Sequence, residues 1–538
     1  MKLKPPSGAA GIIAASKRAF KRRAMWDTTL DDVYDLILPF RKPSEDNSKG
    51  APAMDRAYDS TAPQSALRFA GRLQNDIVPP FQEIAKLELG PAGQAVFTDE
   101  GARAKAEAEL ETISKVARAA IDTGTFPTAS HEMFIDLVAG QGAMLISEGD
   151  DDDEPVIFEA VPAKQIAIVD GRGGKVVEIH YQRKWTAREI DSKWPTRKTE
   201  PAALAEALKA GGDAAEREFE VFQSTVWNGE KRRWQLHVCM EGGEGKENGV
   251  ELLSEETRSC PWLTPRFFKV PGEPWGRGPA MMALPDVRVA NKTVELTLRA
   301  AALAILGLWT KTPDLNGSTS MNLANFKPGS MISVTSNGGN RGPSIMPLDV
   351  PRGFNVSNIM LAEYRERIRD VLFDRAIPRA EGTPRSASEV IETLRMYAED
   401  LAAVYGRLVK EIVIPLYNRV IEILHNRGLI KTRIKADQLI TAIKVTSPLA
   451  DAQNVNDLNR ILRWLELMSL TLGEQMLMLT AKVEDVGPFL ARLLGVPKEL
   501  IRDPDERKKL QETVAEIIAK IQLGAQAQAG GPPQAAPA

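Results

Sequence analysis

The sequence predicts a helix-rich α+β fold that is built from more than one module. Hydrophobic residues form 43% of the 538 residues and charged residues form 26%, which is ordinary globular composition. A chain of this length exceeds the size at which a single core stops growing, so roughly two to four modules are expected. The hydrophobic period also changes along the chain, from helical spacing to short strands rich in Val and Ile and then to long helices.

The first half of the chain is predicted to be a mixed body of helices and strands. Helical patterns span 10–38, 63–77 and 98–138. Strand patterns and one charged helical insert follow, at 143–146, 156–161, 166–169, 176–181, 201–218 (the insert), 219–227 and 233–240. The acidic run Asp150–Glu154 is interpreted as an exposed hairpin tip. A cation site there is the less favoured alternative, because consecutive ligands converge poorly on one ion.

After Pro279 the pattern changes to long helices around a loop-rich segment. Helices are predicted over 281–306 and 355–374, and the segment 308–353 between them is rich in Gly, Pro, Ser and Asn. Three short strands are predicted inside that segment, at 308–311, 331–335 and 344–348. A loop rich in Pro, Arg and Gly covers 375–385.

A very long helix is predicted over 387–425. Ser386 and Glu389 form a capping box at its start, Pro415 interrupts it and Gly428 stops it. Further helices are predicted at 452–480 and 505–522, and a disordered tail rich in Gly, Gln, Ala and Pro is predicted at 524–538.

The helix at 281–306 is apolar on most of its circumference. Its charges lie in one seam formed by Arg288, Lys292, Glu295 and Arg299. Such a helix needs cover on several sides. Two interpretations remain open: a central core helix in a single copy, or a stave in a ring of subunits with its polar seam toward a channel. Lengths of about 39 Å here and about 60 Å for 387–425 favour an elongated subunit.

Composition argues against several classes of protein. The 69 basic and 72 acidic residues nearly cancel, so there is no basic excess to clamp DNA. The two cysteines, Cys239 and Cys260, show no metal-ligand spacing and fit a reducing compartment. The longest apolar run, Ala300 to Trp309, is about half the roughly 20 residues that a membrane span needs. We therefore expect no membrane segment and synthesis in the cytoplasm.

Motifs for catalysis are incomplete. The nearest approach to a phosphate-binding loop, Gly174-Lys175, is followed by Val176, and His131-Glu132 lacks the second histidine of a zinc protease helix. No Gly-x-Ser-x-Gly elbow occurs. The sequence thus predicts no catalytic residue, no metal site and no cofactor. The Gly-rich stretch Gly272–Gly278 could cradle phosphate, but a tight turn that aims the next helix, with Trp275 packed nearby, is favoured.

Several motifs occur in a set order along nearly the whole chain. Tyr34–Pro39 and Tyr58–Thr61 come first, Arg266 with Val270–Pro279 and Leu284-Pro-Asp286 lie in the middle, and Pro378-Arg379, Ser386–Glu389 and Pro415-Leu416 come last. Together they resemble the head-to-tail connector (portal) proteins of short-tailed double-stranded-DNA bacteriophages. Trp275 stands where the family usually has Tyr, and Ser386-Ala-Ser replaces a Thr-containing version.

The resemblance implies a non-enzymatic virion protein that forms a dodecameric ring at one capsid vertex and is assembled in the host cytoplasm. Such a ring passes double-stranded DNA during packaging and ejection. Its implied partners are further copies of itself, the packaging ATPase (terminase), capsid and scaffolding proteins, and tail adaptor proteins.

The resemblance also implies a division of the chain into portal modules. These are a wing (1–280), a stem helix (281–307), a clip (308–353), a second stem helix (354–374), a tunnel loop (375–386), a long kinked helix and return (387–450), a helical crown (451–522) and a disordered tail (523–538). The implied tunnel-facing candidates are Arg288, Lys292, Arg299, Arg375, Arg379 and Arg385. Alternatives from other classes are another ring-forming or scaffolding virion protein, such as a tail adaptor, and a packaging ATPase or nuclease.

Overall fold

The computed structural model describes most of the first 306 residues and shorter pieces beyond them. The described residues are 6, 8–42, 57–80, 82–96, 99–149, 151, 153–241, 249–306, 308–311, 331–333, 345–348, 354–374, 404–432, 434, 437–446, 460–471, 486–487 and 489–490. The chain divides into two compact units, Met1–Ser447 and Pro448–Ala538. Helices and strands both occur in the first unit, which confirms the α+β class.

Ten α-helices lie wholly among the described residues of the first unit, and a further helical stretch is described from residue 404. They are α1 (Ala9–Leu36), α2 (Thr61–Ile77), α3 (Pro91–Val96), α4 (Glu100–Thr123), α5 (Phe126–Ala139), α6 (Ala187–Lys193), α7 (Ala202–Ala210), α8 (Pro279–Leu306), α9 (Phe354–Val371) and α10 (Ile414–Asn426). In the second unit residues 460–471 are helical, within the predicted helix 452–480. No helix among the described residues is long and apolar enough to cross a membrane.

The described strands form five small sheets. They are β1 (Ala85–Leu89), β2 (Met144–Glu148), β3 (Val156–Ala160), β4 (Ile166–Asp170), β5 (Val176–Thr186), β6 (Glu218–Asn228), β7 (Arg233–Met240), β8 (Val250–Thr257), β9 (Trp262–Leu263), β10 (Phe268–Lys269), β11 (Gly276–Arg277), β12 (Leu308–Lys311), β13 (Met331–Ser333), β14 (Ile345–Leu348) and β15 (Thr441–Val445). The largest sheet is an antiparallel meander in the order β4-β5-β6-β7-β8.

Aromatic side chains fill the core on the meander. Tyr181 packs edge to face against Trp262 and Trp185, with ring centroids 5.7 and 6.5 Å apart, and Trp185 meets Trp194 at 5.6 Å. Each such ring buries a large apolar area, and edge-to-face pairs add to that gain. Trp275 also packs into this core. The predicted strands 166–169, 176–181, 219–227 and 233–240 form four strands of the meander, and those at 143–146 and 156–161 form β2 and β3 of a separate sheet.

The predicted helical region 98–138 is confirmed, and it is divided into α4 and α5 at Gly124. A side chain at Gly124 would lie 2.8 Å from the carbonyl oxygen of Val156. Thr125 then exchanges hydrogen bonds of 2.8 and 3.1 Å with the backbone of Phe158. The chain turns here because β3 approaches too closely for a continuous helix. The predicted insert 201–218 is likewise helical in a shorter stretch, at α7.

The hairpin interpretation of the acidic run is confirmed. β2 and β3 pair antiparallel on either side of it. Arg427, just after α10, donates 2.8 Å to the carbonyl oxygen of Asp151 and forms an ion pair with Glu148 at 3.3 Å. Among the described residues no group of three His, Cys, Asp or Glu side chains could hold a metal ion. A guanidinium group thus supplies positive charge at this tip.

The predicted interruption at Pro415 is confirmed as a widened turn. Residues 404–426 are helical throughout, and Val409–Val413 form one π-helical turn directly before α10. Proline lacks an N–H and its ring crowds the carbonyl one turn earlier, so a wider turn relieves the clash. Gly428 ends the helix with a φ of 78°, as predicted. Ser386 and Glu389, the predicted capping box, lie outside the described residues.

Candidate functional site

Helices α8 and α9 pack against each other. In the sequence they come directly before and after the strands of the small β12–β14 sheet. α8 is anchored in the first unit through Ala283, Val287 and Ala290, which are buried. From residue 291 to residue 302 no side chain is buried. The second half of α8 therefore lacks, among the described residues, the neighbours on several sides that its apolar surface is expected to need.

Asp59, in the motif Tyr58–Thr61, joins both helices to α2. The backbone N–H groups of Tyr58 and Asp59 donate to Asn291 Oδ1 of α8, at 2.6 and 3.2 Å. Arg365 of α9 donates to Asp59 Oδ2 at 2.9 Å. Burial raises the pKa of Asp59, but hydrogen bonds from Thr61 and the contact with Arg365 outweigh it, so the pKa lies below its ordinary value. The carboxylate joins the start of α2 to α9, and the backbone N–H groups beside it hold α8.

We expect Asp59→Ala to lower the free energy of unfolding by about 2 kcal/mol, because it removes a hydrogen bond to Thr61 and a charged partner of Arg365. Asp59→Asn is the matched control, since its amide oxygen still accepts from Thr61 and it should cost less. Urea denaturation measures both. Equal stability of wild type and Asp59→Ala would show that the contacts of the Asp59 carboxylate do not stabilise the fold.

The end of α9 is latched onto successive turns of α2. Ser65 donates to Asp374 Oδ2 at 2.8 Å, and Arg68 pairs with the same oxygen at 3.3 Å. Arg72 donates to the carbonyl oxygen of Phe373 at 3.2 Å. The Phe373 ring stacks on Phe69 with centroids 5.3 Å apart. Phe373 has a φ of 55°, which is costly for a non-glycine residue, so these contacts hold a strained turn in place.

Arg266 lies at the centre of a buried ion-pair cluster. Its side chain is 4% exposed and contacts Glu411 at 2.7 Å and Asp170 at 2.9 Å. Lys269 also pairs with Asp170. The cluster contains two cations and two carboxylates, so its charge is balanced. It joins the end of β4 and the loop before α8 to the π-helical turn.

The Gly-rich stretch before α8 makes a close backbone contact with the end of α5. A Cβ atom on Gly276 would lie 2.1 Å from the carbonyl oxygen of Gly140, and one on Gly278 would lie 2.1 Å from that of Val138. Gly272 has a φ of 88°, in the region that favours glycine. The stretch is therefore a packing turn that sets where α8 begins, with Trp275 buried beside it.

Asp136 on α5 is fully buried and lies against the first motif, Tyr34–Pro39. Tyr34 donates to Asp136 Oδ1 at 3.0 Å, and Arg41 donates to Oδ2 at 3.2 Å. Arg41 also pairs with Glu132 at 3.0 Å. Burial raises the pKa of Asp136 to about 6, although Arg41 and Tyr34 act in the opposite direction. The network joins α1 to α5.

The raised pKa of Asp136 gives stability a specific pH dependence. The unfolded chain releases this proton near pH 3.8 and the folded protein holds it to about pH 6. In that window the folded state binds more protons, so the free energy of unfolding falls as pH rises, by about 3 kcal/mol. We expect the difference between wild type and Asp136→Asn in urea denaturation to change across this window. A constant difference would contradict the assignment.

The structure brings together three of the six predicted tunnel-facing residues. Arg288, Lys292 and Arg299 lie exposed along α8. Arg288 pairs with Asp32, while Lys292 and Arg299 both pair with Glu295, at 3.0 and 2.6 Å. The hydrogen bond from Lys292 lowers the pKa of Glu295. The other three predicted residues, Arg375, Arg379 and Arg385, lie outside the described residues.

Sequence reasoning missed the buried polar groups that hold α8 and α9. Arg266 belongs to a sequence motif, but its partner Glu411 is 145 residues away and lies in no motif that marks it. Asp374 gave no signal either, since its partners Ser65 and Arg68 lie on a distant helix. The glycine content of 272–278 is the sequence signal that predicted a tight turn at this place, where the backbone lies against the end of α5.

Comparison of the chain with known proteins found matches among solved structures. No curated protein matches it. One matching solved structure is described as the virion of a native gene transfer agent (GTA) particle, with 11% identity, 87% of this chain and 93% of that chain covered, and a TM-score of 0.34. Another is the neck of a native GTA particle computed with C12 symmetry, with 12% identity, coverage of 80% and 94%, and a TM-score of 0.31.

The family comparison covers most of the sequence. The family described as bacteriophage head to tail connecting protein matches residues 9–501. That range includes Asp59, Arg266 and the Gly276–Gly278 turn, which fix α8 and α9 to the rest of the unit. The chain belongs to the bacteriophage head to tail connecting protein family.

Proposed function

We propose that the protein is a portal subunit, a non-enzymatic chain that forms a dodecameric ring at one capsid vertex and conducts double-stranded DNA. The observation that carries this proposal, beside family membership, is the second half of α8. It is firmly anchored through Asn291 yet leaves large apolar side chains such as Leu296 and Leu298 exposed. Exposed apolar area on an ordered helix marks an interaction surface.

A conduit for DNA has to let phosphates pass without holding them. A protein that neutralises many phosphates releases their counterions and binds tightly, and a ring multiplies each contact. The net charge of −3 and the pairing of Arg288, Lys292 and Arg299 with carboxylates reduce that hold. The charge pattern therefore supports passage of DNA and argues against tight binding of DNA by the ring.

In this proposal the segment 375–385 forms a loop that faces the tunnel. Its start is fixed, because Phe373 and Asp374 are latched to α2. Arg375, Arg379 and Arg385 then supply weak, repeated contacts to DNA. The small β12–β14 sheet between α8 and α9 acts as the clip that docks the packaging ATPase and later the tail adaptor, while the wing contacts capsid and scaffolding proteins.

The experiment replaces Arg375, Arg379 and Arg385 together with alanine in particles that carry this chain as their one source of portal. We expect rings of normal size and a fall in filled particles on the order of tenfold, because each substitution recurs in every subunit of the ring. Lys105 and Lys115 of α4, replaced by alanine, are the control and should leave filling unchanged. Normal filling with the triple variant would contradict the tunnel assignment, and lost rings would make the loop structural.

A further inference from the structure

An apolar line runs along the outer side of α8. Met282, Val289 and Leu296 are 53%, 43% and 53% exposed, and they are spaced seven residues apart. Residues at this spacing form a single stripe on a helix, as in helices that pack against a partner helix. Arg288, Lys292 and Arg299 flank the stripe on one side. The outer side of α8 is thus an amphipathic edge with a positive border.

A line of acidic residues runs along the outer side of α9, between the exposed side chains of Arg367 and Arg369. Glu363, Glu366 and Asp370 are exposed at spacings of three and four residues, which places them on one face. The other face packs inward through Ile368 and Leu372. Arg367 pairs with Glu363 at 2.5 Å, at the side of this acidic line.

We propose that the outer side of α8 docks against the outer side of α9 in a second copy of this chain. Lys292 and Arg299 would then meet Glu366 and Asp370 of that copy. Two α8 edges placed face to face would bring three cations against three cations. DNA would satisfy the positive border but would leave the apolar line without cover. The acidic line of α9 complements the charge of the α8 border.

This contact is heterologous, because each copy uses two different surfaces. A heterologous contact repeats from copy to copy and gives a ring when the rotation closes. The inference therefore rests on the proposed ring and assigns its subunit contact. It gives the three α8 cations a neighbouring subunit as their partner instead of DNA. Their present partners do not prevent this. Glu295 is shared between Lys292 and Arg299, and exposed ion pairs contribute so little stability that they exchange easily.

The test uses two charge-reversed versions of the full chain. One carries Lys292→Glu and Arg299→Glu on α8, and the other carries Glu366→Lys and Asp370→Lys on α9. We expect each alone to need at least about tenfold more protein to assemble, because like charges then face each other. An equal mixture should assemble again as strictly alternating rings, and so should one chain that carries all four changes. Native mass spectrometry of the mixture reads the ratio of the two chains.

The matched control carries Lys105→Glu and Lys115→Glu on α4 and should assemble like wild type. Circular dichroism on each variant confirms that it folds. Assembly of each reversed variant alone, or failure of both the mixture and the four-change chain, would overturn this contact. A wild-type chain that stays monomeric would instead overturn the proposed ring itself, so the two failures are distinguishable.

Discussion

Arg266→Ala is expected to lower the free energy of unfolding by about 3–5 kcal/mol, the cost of removing one partner from a buried ion pair. Arg266 is buried, and its guanidinium contacts Glu411 at 2.7 Å and Asp170 at 2.9 Å. Lys269 still pairs with Asp170 after the substitution, but Glu411 loses its charged partner. The uncompensated carboxylate of Glu411 therefore accounts for most of the loss.

Two further variants separate this charge effect from lost packing. Adding Glu411→Gln to Arg266→Ala removes the stranded charge and should recover part of the stability. Arg277→Ala removes an exposed arginine paired with Glu273 and should change stability by about 0.5 kcal/mol. Urea denaturation of the four proteins measures these differences. If Arg266→Ala were no worse than Arg277→Ala, the cluster would not hold the loop before α8.

Gly278→Ala is expected to destabilise the protein by about 3 kcal/mol, because the added methyl has no room. Its Cβ would lie 2.1 Å from the carbonyl oxygen of Val138 and 2.4 Å from the amide nitrogen of Gly140. Both are backbone atoms, so relief requires α8 to move away from the end of α5. The loss of stability should therefore come with weaker ring assembly.

Gly11→Ala is the matched control for the glycine prediction. Gly11 lies inside α1 and a Cβ there has open space around it, so alanine should stabilise by up to about 1 kcal/mol. Denaturation and sedimentation of both variants test the pair. Wild-type stability of Gly278→Ala would show that the backbone contact is not tight.

Elements with a long regular period were predicted well from the sequence. α1, α2, α8 and α9 begin and end within a few residues of the predicted bounds, because apolar periodicity and breaking residues act locally. The same local signals do not place the break at Gly124, because it depends on the approach of β3. β1 was missed for a related reason, since its partner strand β15 lies more than 300 residues later.

The candidate site was only partly predictable. An exposed cation such as Lys292 can be recognised from the helical pattern around it. The pairs Asp59–Arg365 and Arg266–Glu411 join residues that are far apart in sequence. No local pattern records such pairs. In the structure the motif residues Tyr34, Asp59 and Arg266 all hold helices or loops in place. The residues of these motifs therefore stabilise the fold.

End-on electron microscopy of the purified full-length chain tests the central claim most directly. We expect closed rings around an open centre, with twelvefold symmetry as the family resemblance implies. A stable single-copy particle at high protein concentration would contradict it, because the exposed half of α8 would then need no second copy to cover it.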